Sequence, residues 1–274
     1  MTDPLGYVLG QTDRAARRLL IQDSHFAEAS EALLDALALR PADRVVELGC
    51  GPGGFTRRIV RRLGPGDVVV GIDSAQPLLE QAAKLMAGEG PGAFEGVRAD
   101  IAELGPWLDG AAVVVGRAVL HHVPMAEYLV GRLRGRLAPG TRVGFIEPDF
   151  RTPLARLAAL EAGGRTDLAP LRVWATAINH LYAARRISPA VGATLAAAMT
   201  AAGYREVTTA WHEVPTDAVM IENMGMFYDE VRGPLAEYGI LSEAEVDEQQ
   251  RALRSPVAGD PPAVWGVHRV AAVA

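Results

Sequence analysis

The chain has 274 residues, of which 49% are apolar, so it is long enough to bury a sizeable core as one large domain. A formal net charge of −6 and a pI near 5.6 argue against a nucleic-acid partner, because proteins that bind nucleic acid usually present a basic face. The single cysteine, Cys50, excludes an internal disulfide, so we expect the protein to reside in a reducing cytoplasm. The sequence shows neither a signal peptide nor an apolar run near ~20 residues, so we expect no membrane partner.

The first predicted element is a helix over residues 13–39, because leucine and phenylalanine recur there at helical spacing. Pro41 follows and ends the helix before the first strand. From 41 to about 150, short apolar runs alternate with helical patterns, which is typical of a doubly wound parallel sheet. Each run is almost continuously apolar, as expected of strands that carry helices on both faces of their sheet.

The most informative segment is VVELGCGPGGFT (45–56), in which an apolar run leads through a glycine-rich turn into a helical pattern. Glycine tolerates positive φ and lets the backbone close on a ligand, and the following helix offers N–H groups to an anion. We therefore expect a cradle for a small molecule. Two interpretations stay open: Gly49, Gly51 and Gly54 fit the dinucleotide pattern G-x-G-x-x-G, whereas Glu47, Gly49, Gly51 and Gly53 form E-x-G-x-G-x-G.

Four further motifs follow in chain order, each at the start or end of a predicted strand. They are VVVGID (68–73), RADI (98–101), AAVVVGR (111–117) running into LHHVP (120–124), and LAPGT (137–141) turning into RVGFIE (142–147). Together with the glycine-rich segment they resemble the class I S-adenosylmethionine-dependent methyltransferases, a family with a Rossmann-like fold, over about residues 41–150. A nicotinamide dehydrogenase does not predict the paired histidines or the Pro-Gly turn, so an NAD(P)-dependent oxidoreductase is the weaker interpretation.

The strand–helix alternation stops at 151–187, where the pattern predicts two helices. It resumes with a helix near 189–202 and a strand at 205–214. A second helical insert is expected at about 217–254, and a last strand at 263–270. The two late strands around a helical excursion are similar to the antiparallel edge hairpin of the same family.

The resemblance implies an α/β fold, namely a doubly wound, mainly parallel seven-stranded sheet with an antiparallel edge hairpin and helical lid insertions. We expect a single methyltransferase domain over residues 1–274. Its expected parts are an amino-terminal helical cap (1–40), a cofactor-binding core (41–150), a helical lid insert (151–187) and a sheet-completing part (188–274) that contains the second insert.

The same resemblance implies S-adenosyl-L-methionine as the cofactor, bound at the carboxyl ends of the strands. Asp73 ends the second strand and is expected to accept hydrogen bonds from both ribose hydroxyls, with Ser74 beside it. Asp100 and Ile101 resemble an adenine clamp, in which the carboxylate takes the exocyclic amine and the isoleucine packs on the ring. A helix N-cap is the alternative role for Asp100.

Other residues are expected around the methionyl end of the cofactor. Glu47 either helps hold the methionyl ammonium region or braces its own loop. The backbone of Arg117 is expected to meet the methionyl amino group, or its guanidinium to hold a carboxylate of the cofactor or acceptor. Tyr7 opens the run YVLGQTDR (7–14), which, with Gln22 downstream, resembles the cofactor-covering segment of one bacterial branch of the family; a disordered tail is the alternative for Tyr7. Gly49, Gly51 and Gly53 complete the expected cofactor-binding set.

His121, His122 and Glu147 are the candidate catalytic residues. Methyl transfer from a sulfonium depends on positioning, and an oxygen or amine acceptor must also lose a proton, which histidine can take near neutral pH. Adjacent histidines are expected to point in different directions, so at most one faces the acceptor; a buried histidine bonded to backbone is the alternative. Glu147 orients a histidine, binds an acceptor amine or braces its loop. No tight ligand spacing indicates a metal.

The two helical inserts are expected to enclose a bulky organic acceptor. The candidate lining residues are Trp174, His180, Tyr182, Met220, Met224, Met226, Phe227 and Tyr228. The sequence thus predicts methyl transfer to a small molecule, with natural-product biosynthesis in bacterial secondary metabolism as the setting that the resemblance implies. The alternative from another class is a methyltransferase-like protein that keeps the cofactor and catalyses a cyclisation or binds a ligand. The protein partner that we consider is a second copy of the chain, in a homodimer.

Overall fold

The computed structural model describes residues 13–255 and 263–274. Within these residues the chain forms seven strands and ten α-helices. The strands are β1 (Val45–Leu48), β2 (Val68–Asp73), β3 (Ala93–Arg98), β4 (Val113–Arg117), β5 (Arg142–Pro148), β6 (Arg205–Val214) and β7 (Trp265–Val273). The helices are α1 (Asp13–His25), α2 (Ala27–Leu37), α3 (Gly54–Val60), α4 (Gln76–Met86), α5 (Ala126–Arg136), α6 (Thr152–Ala162), α7 (Ala169–Ala184), α8 (Val191–Ala201), α9 (Ala218–Glu237) and α10 (Glu243–Leu253).

The strands form one sheet in the order β3-β2-β1-β4-β5-β7-β6. Strands β1 to β5 pair in parallel, and β7 pairs antiparallel with both β5 and β6. This confirms the predicted mainly parallel seven-stranded sheet with an antiparallel edge hairpin. The strand order reverses between β1 and β4, so the loops after these strands open a crevice at the carboxyl edge of the sheet, where ligands bind in such folds.

The central strands are buried on both faces of the sheet. Val45 and Val46 are adjacent in β1 and fully buried, yet their side chains belong to two different apolar cores. Successive side chains of a strand point to opposite faces, so each core lies on its own side of the sheet. Continuous burial explains why the strands read as unbroken apolar runs rather than as alternating patterns.

The predicted single helix over 13–39 is wrong, because the structure divides it at Phe26. This residue takes φ −96° and ψ 9°, between the end of α1 and the start of α2. Its side chain is buried, and the Arg117 guanidinium lies 5.9 Å from its ring. Apolar spacing alone does not reveal the break, since both helices continue the same periodic pattern.

The two inserts provide the covers over the carboxyl edge of the sheet. The first contains α6 and α7, as predicted, and the second contains α9 and α10. Helix α9 packs against α1, α7 and α10. Strand β6 has the predicted bounds, whereas β7 runs from Trp265 to Val273. None of the helices in the described ranges combines the length and the apolar character that crossing a bilayer requires.

Candidate functional site

A cavity of about 350 Å³ opens at the carboxyl edge of β1, β2 and β4, between the sheet and helices α1, α7 and α9. A volume of this order suits a small-molecule site. The predicted residues that line it are Gln22, Glu47, Gly49, Gly51, Asp73, Ser74, Asp100, Ile101, Arg117, His121 and His122. Gly53 and Glu147 are not among the lining residues, and Tyr7 lies outside the described residues.

Three glycines of the turn after β1, namely Gly49, Gly51 and Gly53, have positive φ, and they are required for two different reasons. A Cβ on Gly49 would lie 2.3 Å from a methyl carbon of Val119, and one on Gly53 would lie 3.2 Å from the backbone of α4 at Ala82. A Cβ on Gly51 would approach only Leu19, at 3.8 Å, and would otherwise stand in the cavity. Gly49 and Gly53 therefore serve packing, and Gly51 keeps the ligand space open.

The carboxylate of Asp73 fixes the glycine turn to the end of β2. Its Oδ2 accepts from the Gly51 N–H and its Oδ1 from the Ala75 N–H, both at 2.9 Å. Burial raises its pKa, and these backbone donors oppose that rise. Each oxygen has a second lone pair, so a carboxylate held in this way can still accept from a ligand's hydroxyls.

Asp100 follows β3 and has the N-cap role that was the alternative to an adenine clamp. Its Oδ1 accepts from the Ala102 N–H at 2.8 Å and caps a short 3-10 helix over Ile101–Glu103. The residue also lines the cavity together with the buried Ile101. Capping fixes the position of the loop, and it leaves an apolar side chain and a carboxylate beside the cavity.

Glu47 is buried within β1 and lines the cavity. Its Oε2 accepts from the hydroxyl of Thr56 in α3 at 2.6 Å, so it braces the turn between β1 and α3. Burial raises its pKa to about 8, although the Thr56 hydrogen bond and the charge of Arg117 oppose this. Below that pH the carboxyl is mainly protonated, and a cationic group placed beside it would favour ionisation.

Arg117 ends β4 and is held by a carboxylate that sequence reasoning missed. Its Nη1 donates to Oδ1 of Asp23 in α1 at 2.5 Å, and to the Ser30 hydroxyl at 3.1 Å. Asp23 also accepts two hydrogen bonds from Arg58. Burial acts to raise the pKa of Asp23, but the two arginines outweigh it and the pKa is lowered.

Arg58 belongs to the group Arg57, Arg58, Arg61 and Arg62, whose helical spacing predicts a solvated face. That prediction is wrong for Arg58, because its side chain is only 19% exposed and pairs with Asp23 and Glu31. Arg58 of α3 and Arg117 of β4 thus converge on Asp23, which joins α1 to both elements. The residues next to Asp23 in the helix give no indication that it pairs with arginines from other parts of the chain.

Glu147 contacts the histidine that it was predicted to orient, and it braces the loop after β4 rather than its own loop. Its Oε1 accepts from the backbone N–H groups of Val119 and Leu120, at 2.9 and 2.8 Å, and so braces the loop after β4. Its Oε2 lies 2.8 Å from Nδ1 of His121 and orients that ring. Burial raises the pKa of Glu147 to about 7, and the backbone donors oppose the rise. An ionised carboxylate assigns the proton to Nδ1 and leaves Nε2 of His121 as the lone-pair nitrogen.

The two histidines were expected to point in different directions, but the rings of His121 and His122 face the same cavity. Both line the cavity, and their ring centroids are 3.9 Å apart with the planes tilted by 46°. Burial, together with the charge of Arg18, lowers the pKa of His121 to about 3. Burial also lowers the pKa of His122. Both imidazoles are therefore neutral at pH 7.

The inserts line the far end of the cavity with apolar side chains. Of the candidates from sequence, Trp174, Tyr182, Met220, Met224 and Phe227 are lining residues, whereas His180, Met226 and Tyr228 are not. His180 is exposed on α7. Phe150, two residues after β5, and Trp265, the first residue of β7, complete this wall and were not identified from sequence. Across the described part of the chain, no group of three or more His, Cys, Asp or Glu residues has the arrangement of a metal site.

Comparison with known proteins relates this site to a family. Residues 46–143 match the model of the methyltransferase domain family. The trans-aconitate 2-methyltransferase of Mycobacterium tuberculosis is 36% identical over 124 residues, which are 44% of this chain and 43% of that protein. The protein of the same name from Rhizobium leguminosarum bv. trifolii is 33% identical over 184 residues, 66% of this chain and 65% of that protein. The chain thus matches less than two thirds of the length of each of these relatives.

Solved structures share the fold at much lower identity. The cyclopropane synthase MmaA2 from Mycobacterium tuberculosis has a TM-score of 0.54 and 15% identity, covering 89% of this chain and 82% of that one. At this identity the likeness is one of fold alone. Proteins of one fold carry out different reactions, so the reaction has to be argued from the residues around the cavity.

Proposed function

Since the chain belongs to the class I, Rossmann-like S-adenosylmethionine-dependent methyltransferase family, we propose that it transfers the methyl group of S-adenosyl-L-methionine to a small organic acceptor. One observation carries the proposal: a single cavity is lined both by Gly51 and Asp73 and by His121 and His122. The buried Glu147 contacts Nδ1 of His121. Bacterial secondary metabolism is the setting that we propose. The names of the relatives make trans-aconitate one acceptor to include in a test of this proposal.

The cavity residues fit the cofactor. The space above Gly51 accommodates a ligand against bare backbone, and Asp73 offers carboxylate oxygens beside it for the ribose hydroxyls. Ile101 supplies an apolar surface for the adenine ring, and Glu47 faces the cavity where the methionyl ammonium would lie. Gln22 on α1 would cover the bound molecule from the opposite side. When bound, the sulfonium supplies an electrophilic methyl group.

The chain's own residues would serve the acceptor. A lone pair of the acceptor atom would take the methyl group that the bound cofactor supplies, with S-adenosylhomocysteine as the second product. An oxygen or nitrogen acceptor also loses a proton, and we propose that Nε2 of His121 takes it. Glu147 would stabilise the resulting imidazolium, because its carboxylate lies 2.8 Å from Nδ1.

Release of S-adenosylhomocysteine separates the candidate reactions. Incubation of the protein with S-adenosyl-L-methionine and a panel of acceptors is expected to release it in proportion to methylated product. A cyclase or a ligand-binding protein would bind the cofactor and release none. A nicotinamide oxidoreductase would instead change the absorbance of NAD(P)H and would not bind S-adenosylhomocysteine at all.

The first prediction concerns the ribose. Asp73→Ala should remove charge-assisted hydrogen bonds worth about 1.5–3 kcal/mol, which is roughly a tenfold to hundredfold loss of S-adenosylhomocysteine affinity. Titration calorimetry measures this loss. Asp67→Ala is the control, since Asp67 accepts backbone N–H groups in a turn at the opposite end of β2 and does not line the cavity. Unchanged affinity in Asp73→Ala would refute the ribose assignment.

The second prediction concerns pH. The ordinary pKa of a glutamate is near 4.5, and burial raises that of Glu47 to about 8, so the cavity carboxyl is protonated at pH 6–7. A ligand ammonium beside it requires the ionised form. The affinity for S-adenosylhomocysteine is therefore expected to rise by up to about tenfold per pH unit below pH 8 and to level off above it. Glu47→Gln should flatten this profile, and a wild-type affinity that is constant from pH 6 to 8 would contradict the contact.

A further inference from the structure

An aromatic wall runs from the histidines into the far end of the cavity. We define it as Tyr182, Phe150, Trp265, Trp174 and Phe227. Consecutive ring centroids in this series are 4.9, 4.9, 5.0 and 5.9 Å apart, and all five residues are less than 10% exposed. The His121 ring lies 5.6 Å from that of Phe150. A flat, apolar ligand placed at His121 would therefore contact rings along its whole length.

The cationic side chains at this cavity are already neutralised. Among the described lining residues, Arg18 and Arg117 are the two lysine or arginine side chains. Arg18 donates to Oε1 of Glu230 at 2.6 Å, with side chains that are 3% and 7% exposed, and Arg117 is bound to Asp23. The charge of each arginine is thus already balanced by a buried carboxylate, so a ligand carboxylate placed beside it would leave a net negative charge in a buried site.

The segments outside the described ranges bring no further lysine or arginine to the cavity. Residues 1–12 and 256–262, which lie outside the described ranges, contain neither residue type. Burying a polycarboxylate without cationic partners is strongly unfavourable. The wall does offer neutral hydrogen bonding, because Nε1 of Trp174 and Nη2 of Arg18 are buried and have no hydrogen-bond partner among the described residues. An uncharged oxygen of a ligand can accept from either of them.

Resting on the proposed methyl transfer, we infer that the acceptor is an uncharged, ring-containing molecule with at least one oxygen atom, and not a polycarboxylate such as trans-aconitate. Its methyl-accepting atom lies at His121, and its ring packs along the aromatic wall. The acceptor of this chain would thus differ in charge from the trans-aconitate that the names of its relatives give. The cavity that would hold the cofactor also contains an apolar region for the acceptor, and each arginine that lines the cavity is already paired with a carboxylate.

A pair of probes with one ring system and different charge tests this inference. With the wild-type protein saturated with S-adenosylhomocysteine, titration calorimetry at pH 7 compares 1-naphthol, which is uncharged, with 1-naphthoate and trans-aconitate. We expect 1-naphthol to bind at least about tenfold more tightly than 1-naphthoate, and trans-aconitate to bind more weakly still. Equal or tighter binding of either carboxylate overturns the inference. Absence of S-adenosylhomocysteine binding would overturn the proposed function instead, so the two failures are distinguishable.

A charge variant tests the reason for the preference. Glu230→Gln leaves the charge of Arg18 uncompensated, so the ratio of 1-naphthoate to 1-naphthol affinity should rise by at least about tenfold. Glu222→Gln is the matched control on the same helix, because Glu222 is 57% exposed and lies 3.9 Å from the exposed Arg17. An unchanged ratio in a folded Glu230→Gln protein contradicts the inference. If that variant does not fold, the wild-type comparison of the three probes still decides.

Discussion

His121→Ala is expected to lower turnover by roughly a hundred- to ten-thousand-fold, the usual contribution of a general base. The imidazole is the one that Glu147 orients through Nδ1, at 2.8 Å, and it borders the acceptor end of the cavity. Affinity for S-adenosylhomocysteine should stay within a few fold, since the ring serves the acceptor. Initial rates with saturating acceptor measure the effect, and His180→Ala, which changes an exposed histidine of α7, is the control.

The pH dependence of turnover should belong to the His121–Glu147 pair. Burial raises the pKa of Glu147 to about 7, so its carboxyl ionises as the pH rises through that value. The ionised form stabilises an imidazolium on His121, and turnover is expected to rise through about pH 7 and then level off. In Glu147→Gln the rise of turnover through about pH 7 should be absent. It should also lower the melting temperature, because an amide NH₂ in place of one carboxylate oxygen would face N–H donors of the loop after β4.

Near-normal turnover in both His121→Ala and His122→Ala would contradict the proposal that a histidine acts as the general base. The reaction would then depend on positioning alone, as is sufficient for a carbon nucleophile or an acceptor that is already deprotonated. A large loss in His122→Ala with little loss in His121→Ala would move the base to the neighbouring ring. That ring lies 3.9 Å away and lines the same cavity.

Gly51→Val is expected to abolish measurable S-adenosylhomocysteine binding. Gly51 has φ +53°, a conformation that costs other residues about 1–2 kcal/mol and a β-branched residue more. Its new side chain would also project into the cavity, because a Cβ there meets only Leu19 at 3.8 Å. The two effects, strain and blocked space, both weaken the bound state. Calorimetry against wild-type protein measures the loss.

Gly66→Val separates strain from blocked space. Gly66 has φ +89° and is exposed in the turn between α3 and β2, where a Cβ would meet no atom of the described residues within 4 Å. This variant should lose stability in thermal unfolding through the same backbone strain and still bind S-adenosylhomocysteine normally. Normal binding in Gly51→Val would show that the turn is not the cofactor cradle.

The sequence predicts what local periodicity and turn chemistry determine. Strand β6 has the predicted bounds, and Asp73 ends β2 where the apolar run stops. The partners of the charged side chains were not predictable, because they come from distant parts of the chain. Arg18 and Glu230 are separated by 212 positions, and no local pattern links them. The glycine pattern likewise did not distinguish Gly51, where a Cβ would stand in the cavity, from Gly49 and Gly53, where a Cβ would meet Val119 or α4, because these neighbours come from elsewhere in the chain.

The position of β7 has a consequence for synthesis on the ribosome. Strand β7 lies between β5 and β6 in the sheet, yet it follows both in the chain. Until Trp265–Val273 leaves the exit tunnel, β5 has an open edge and the aromatic wall lacks Trp265. A nascent chain that stalls before this strand would expose a long apolar edge to neighbouring chains. We expect the acceptor site to be complete only after this strand has left the tunnel and paired with β5.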